Sequence, residues 1–115
     1  MIEVNRIIDY LDLMKQRPKM CIYPFNTDSL RNFLYGLERC FLLSFDESEL
    51  HLRFSELINA RSETIHNRGW KVLSVSPDYE MREKGMPEEE IIQELIEIEI
   101  GKWKIWDGLE KKKLN

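Results

Sequence analysis

Apolar residues recur at steps of three and four through most of this chain, a spacing that is typical of helices with one buried face. The first such segment covers residues 2–16. A second begins after residues 26–28, where Thr27 or Asp28 can accept a hydrogen bond from a free backbone N–H, and continues to about residue 43. The predicted buried faces of these two helices are Val4, Ile7, Ile8, Leu11 and Met14, and then Leu30, Phe33, Leu34, Leu37 and Phe41.

A third helix is predicted over residues 48–65, and residues 67–69, which end in glycine, are expected to stop it. Trp70 and Leu73 are three residues apart, which indicates a further helical turn, and residues 79–84 can form another short helix. The predicted buried side chains of the third helix are Leu50, Phe54, Leu57, Ile58 and Ile65.

The last long helix is predicted to begin at Pro87, since proline is tolerated in the first turn of a helix. Residues 96–100 also alternate between apolar and acidic side chains, as a strand would. Nothing else in the chain supplies convincing partner strands, so a lone strand would leave its backbone groups unpaired, and helix is favoured. The sequence therefore predicts an all-α, compact, single-domain bundle of four main helices with one or two short helical turns.

Two prolines stiffen the segment between the first two helices. Pro18 and Pro24 fix their own φ angles and disfavour the α region for the residues before them, so a loop is expected there. Met20 and Ile22 are predicted to attach this loop to the core. Gly36 lies inside the second helix, where glycine costs about 1 kcal/mol relative to alanine, and it is expected to mark a close helix crossing.

Composition narrows the class of protein. The chain has 115 residues, enough for one core over residues 1–109, and residues 110–115 are expected to form a frayed basic tail. The net charge of −4 argues against nucleic acid as a direct partner, because binding phosphates requires clustered Lys and Arg. No apolar run is long enough to span a membrane and the start lacks a signal peptide, so we expect a cytoplasmic protein with reduced Cys21 and Cys40.

Candidate catalytic residues are few. Arg61 and His66 have the R-x4-H spacing that resembles the ribonuclease motif of HEPN domains, in which Arg would hold phosphate charge and His would transfer a proton. The alternative is a helix end, where His66 interacts favourably with unsatisfied carbonyls, and we favour it. Neither histidine has a metal-ligand companion at i+3 or i+4, so no metal, cofactor or enzymatic activity is expected.

A family resemblance arises from the segment Arg17-Pro18-x-Met20-x-Ile22 followed by Ser29-Leu30-x-x-Phe33-Leu34-x-Gly36. It resembles the pattern RPxMYI, then SxxxLxxFLxGY, of small all-helical immunity proteins from bacterial contact-dependent inhibition and other polymorphic toxin systems. Cys21 replaces the usual Tyr, and Leu37 replaces the aromatic residue after the glycine. The resemblance covers about residues 4–100. The matching residues form a structural signature, although Arg17 could either cap helix carbonyls or bind a carboxylate.

This resemblance implies a stoichiometric inhibitor that binds the C-terminal domain of a cognate toxin, in some cases an RNA-cleaving toxin of the EndoU type. A nuclease cleft is basic, so an acidic helix of the inhibitor could cover it. The candidate toxin-contacting residues are Glu88, Glu89, Glu90, Glu94 and Glu97 for steering, with Trp103 and Trp106 as possible anchors. A HEPN-like ribonuclease and a helical adaptor with an unrelated protein partner are the alternatives.

Overall fold

The computed structural model describes residues 3–71 and 77–113, and over these residues the protein is all-α. The predicted helical fold is therefore confirmed, including helix rather than strand at residues 96–100. The helices in chain order are α1 (Val4–Gln16), α2 (Pro18–Cys21), α3 (Thr27–Leu42), α4 (Glu47–Asn67), α5 (Asp78–Glu83) and α6 (Glu88–Lys113). None of them is long and apolar enough to cross a membrane.

Helix α6 is the centre of the bundle. It packs along α4 and α1 and also contacts α3 and α5, so its apolar residues are buried on several faces. Arg68, at the end of α4, pairs with Glu94 near the start of α6, whereas Arg53, near the start of α4, pairs with Glu110 near the end of α6. The two longest helices therefore run antiparallel. The buried apolar residues of α6 are Ile91, Ile92, Leu95, Ile96, Ile98, Ile100, Trp103 and Trp106.

Aromatic side chains fill the core near the end of α6. The Phe41 ring lies edge-on to Trp103 and to Trp106, with ring centroids 4.9 and 5.1 Å apart. Phe45 contacts both Phe41 and Trp106 in the same manner. Edge-to-face packing of this kind contributes roughly 0.5–1.5 kcal/mol per pair beyond the buried area. It fixes the end of α3 against α6.

The predicted loop after α1 contains a short helix instead. Pro18 occupies the first position of α2, where a proline is compatible with helical geometry. This turn buries Pro18 and directs Met20 outward, with 77% of its surface exposed, so the prediction that Met20 attaches to the core is wrong. Ile22 is buried as predicted. The predicted helical turn from Trp70 to Leu73 lies partly outside the described residues.

The close helix crossing occurs at Gly101 rather than at Gly36. In the described part of the chain, no atom beyond the two neighbouring residues and the backbone of its own helix lies within 4 Å of the position that a Gly36 Cβ would occupy. A Cβ on Gly101, in contrast, would overlap the side chain of Thr64 on α4. Thr64 is held by a 2.9 Å hydrogen bond from its hydroxyl to the Ala60 carbonyl. Gly101 therefore permits α4 and α6 to approach, and the prediction for Gly36 is wrong.

Three aromatic or branched side chains predicted to be buried are exposed. Phe33, Phe54 and Ile58 are 37%, 43% and 46% exposed. Helix α4 packs mainly against α6 and only lightly against α3, and its buried residues include Leu57 and Ala60. Phe54 and Ile58 therefore remain largely accessible. The remaining predicted core residues of α3 and α4 are buried or partly buried.

The predicted frayed tail is ordered as helix through Lys113. The Lys113 Nζ lies 2.6 Å from a Glu56 carboxylate oxygen on α4 and 2.9 Å from one of Glu110. Arg53 also donates to Glu110. These contacts fasten the last turn of α6 to the first half of α4.

Candidate functional site

A shallow groove of about 610 Å³ lies beside the first turns of α6, and we call it the acidic groove. Helix α6 begins at Glu88, directly after Pro87. Glu90, Glu94 and Glu97 follow at steps of four and three, which place them on one face, and Glu89 lies beside Glu90. Four of the five glutamates predicted to face a partner are brought together here. The groove is lined by Met86, Pro87, Glu89, Glu90, Gln93, Glu94 and Glu97.

Two of these carboxylates are held by cations from other helices. Glu94 accepts two hydrogen bonds of 2.7 and 2.8 Å from the Arg68 guanidinium and one of 2.7 Å from the Trp70 indole N–H. Glu97 lies 2.7 Å from the Lys15 ammonium. These contacts compensate much of the charge on the inner wall of the groove and fix its shape.

The pKa of Glu94 reflects opposing effects of its surroundings. Burial disfavours the charged carboxylate and raises the pKa, whereas the hydrogen bonds from Arg68 and Trp70 lower it. The hydrogen bonds prevail, so the pKa of Glu94 lies below the ordinary glutamate value. Glu94 is therefore an ionised structural residue at neutral pH.

Glu88 lies outside the acidic groove. One of its oxygens accepts a 3.1 Å hydrogen bond from the Thr27 backbone N–H, and Arg82 donates to the other. The hydrogen bond from Arg82 is the main reason that the pKa of Glu88 is lowered. Glu88 thus joins the starts of α3 and α6 to α5, which leaves it poorly placed for steering a partner.

Glu89 and Glu90 carry the accessible charge of the groove. Both are exposed, and neither forms an ion pair with any residue in the described ranges. Gln93 beside them donates to the Lys15 carbonyl, which links the groove wall to the end of α1. Two free carboxylates on a fixed wall make a surface that attracts cationic groups.

The predicted aromatic anchors are not available at the surface. Trp103 and Trp106 are both buried in the aromatic cluster with Phe41. Both residues therefore stabilise the core, and their burial removes them from the set of candidate contacts.

Arg61 and His66 do not face each other. Arg61 and His66 are five residues apart on α4, so their side chains leave the helix in directions that differ by about 140°. The Arg61 guanidinium lies 3.8 Å from the buried Glu99 carboxylate, whereas His66 is exposed near the end of α4. In the described part of the chain, no group of three or more His, Cys, Asp or Glu side chains could hold a metal ion.

The signature residues of the α1–α3 region have mainly structural positions. Pro18 and Ile22 are buried, whereas Met20, Phe33 and Gly36 are exposed. The Arg17 backbone N–H donates to the Leu13 carbonyl at 3.1 Å and so closes the last turn of α1, while its side chain is exposed.

A second surface was missed in the sequence. An apolar groove of about 320 Å³ lies between the end of α3 and the start of α4, lined by Arg39, Leu42, Leu43, Leu50, His51 and Phe54. Its signal in the sequence was the breadth of the apolar stripe on α4, which is too wide for contact with α6 alone. We call this surface the apolar groove.

Comparison of the chain with protein-family models, with curated proteins and with solved structures finds no match.

Proposed function

We propose that this protein binds and neutralises the C-terminal domain of a cognate bacterial toxin, as a stoichiometric inhibitor acting in the cytoplasm. The observation that carries this proposal is the acidic groove, in which Glu89 and Glu90 are exposed and form no ion pair with a described residue, beside carboxylates fixed by Arg68 and Lys15. The sequence resemblance to immunity proteins supplies the class of partner. The partner surface that fits this groove is basic.

Shape and charge support this role together. The hydrogen bonds to Glu94 fix the groove wall before a partner binds. The side chains of this wall therefore lose little conformational entropy on binding. Met86 and Pro87 add apolar area at the rim. A nuclease cleft that binds phosphates carries clustered Lys and Arg, which the free carboxylates would attract over several ångströms. Covering such a cleft excludes the RNA without any chemistry by the inhibitor.

The ribonuclease alternative gains no support from the arrangement of Arg61 and His66. Arg61 faces the Glu99 carboxylate, which competes for the guanidinium with any incoming phosphate. His66 projects from a different side of α4. We therefore propose binding rather than catalysis.

The test is protection of cells from a toxin. The open reading frame immediately upstream should encode a polymorphic toxin, and its C-terminal domain is expressed from an inducible promoter with or without this protein. We expect growth only when both are present, and no RNA cleavage by this protein alone. Growth arrest despite folded, expressed protein would overturn the proposal, as would RNA cleavage that is lost in His66→Ala.

A further inference from the structure

We propose that the apolar groove is covered in solution by the same groove of a second copy of this chain, which gives a two-fold dimer. Apolar side chains line this groove without a break from Leu42 and Leu43 to Leu50 and Phe54. Leu43 is 76% exposed and Phe54 is 43% exposed, and Ile58 follows Phe54 one helical turn later on α4. Exposed apolar side chains scattered singly need no explanation, but a contiguous apolar groove on a small protein marks an interaction surface.

The charges at the rim of the groove fit a second copy. Arg39 and His51 line it, and Glu47 lies one helical turn before His51 on the same face of α4. Within the described ranges neither Arg39 nor Glu47 forms an ion pair, although most Arg residues of this protein do. In a two-fold dimer the same surface of each copy faces the other. Arg39 of each copy can therefore pair with Glu47 of the second copy.

The basic partner proposed for the acidic groove does not fit the apolar groove. Its Lys and Arg side chains would meet Arg39 in the groove lining, and like charges at an interface are unfavourable. The two grooves also lie at opposite ends of the α4–α6 pair, since Glu94 and Glu110 are 16 residues apart on α6. This spacing corresponds to about 24 Å along the helix axis. The dimer therefore leaves the acidic groove open.

Sedimentation equilibrium of the purified protein over a wide concentration range tests this inference. We expect reversible, concentration-dependent dimerisation, and dimers weakened roughly tenfold or more by Leu43→Lys or Phe54→Lys, because truncating or charging a central apolar contact removes much of the binding energy. Leu13→Lys is the matched control, since Leu13 is an exposed leucine on α1 that does not line the groove. Circular dichroism confirms that each variant is folded.

Exchanging the charges at residues 39 and 47 distinguishes a specific two-fold contact from non-specific apolar association. Arg39→Glu should weaken the dimer, and Arg39→Glu combined with Glu47→Arg should restore it. A protein that stays monomeric at every concentration would overturn the inference, and so would a dimer that loses affinity equally in the control variant. These outcomes are independent of toxin binding, so either proposal can fail alone.

Discussion

Two glycines in helices show how one neighbouring side chain decides the effect of a substitution. Gly36→Ala should stabilise the protein by about 0.5–1 kcal/mol, because alanine favours the helix and its Cβ would contact no other described element. Gly101→Ala should instead destabilise it by roughly 1–3 kcal/mol, because the new Cβ overlaps Thr64 in a packed crossing. Chemical denaturation measures both changes.

Thr64 provides the control for this comparison. Thr64→Ser removes the methyl group nearest to the new Cβ but keeps the hydroxyl that donates to the Ala60 carbonyl. Combined with Gly101→Ala, it should recover part of the lost stability in a double-mutant cycle. Additive free energies in this cycle would contradict the proposed overlap.

Glu94 gives the protein a pH-dependent stability of known sign. Its pKa is lower in the folded state than the value near 4.3 expected in the unfolded chain, so the unfolded state binds more protons as the pH falls. Its contribution to the unfolding free energy is fully present above about pH 5 and is lost as the pH falls through the folded-state pKa.

The measurement is the free energy of unfolding between neutral pH and pH 3, for the wild type and Glu94→Gln. The variant should be less stable at neutral pH and should show a smaller loss of stability in acid. Glu63→Gln, which changes an exposed carboxylate with no ion pair in the described part of the chain, should follow the wild-type curve. If the unfolding free energies of the wild type and Glu94→Gln changed identically with pH, Glu94 would not be a source of the pH-dependent stability.

At the level of elements, helix α6 contains a buried cation that the sequence did not single out. Lys102 is 2% exposed, and its Nζ lies 2.8 Å from a Glu99 oxygen and 3.1 Å from a Glu38 oxygen. Lys102→Met should cost about 3–5 kcal/mol, because both carboxylates lose their closest partner in a buried setting. Adding Glu99→Gln should recover part of this loss, as measured by denaturation. Equal stabilities of the wild type and Lys102→Met would show that Lys102 does not stabilise these two carboxylates.

The helices themselves could be predicted because each repeats its apolar residues at the period of the helix over several turns. Residues 96–100 have the alternation of a strand because α6 is buried on several faces, so its apolar residues do not form a single stripe. Packing between helices could not be predicted in the same way. Whether Gly36 or Gly101 meets a neighbour depends on how the helices cross, and no local pattern specifies that.

At the level of the whole molecule, the candidate site was predicted in part. The glutamates after Pro87 were recognisable as a charged face, and four of them line one groove. Their partners were not recognisable, since Lys15 is 82 residues from Glu97 and Arg68 is 26 residues from Glu94. Such long-range pairs neutralise part of the predicted charge, which leaves Glu89 and Glu90 as the accessible carboxylates.

The most direct test of the proposed function is titration calorimetry of this protein against the purified, catalytically inactivated toxin domain encoded upstream. We predict a one-to-one complex whose affinity falls at least about tenfold when Glu89→Lys and Glu90→Lys are combined, because steering and charge pairing at the acidic groove are reversed. Asp9→Lys with Glu63→Lys, which changes the net charge equally at exposed sites elsewhere, should have a much smaller effect. Absence of binding would contradict the proposed function, and unchanged affinity in the groove variant would contradict the assigned site.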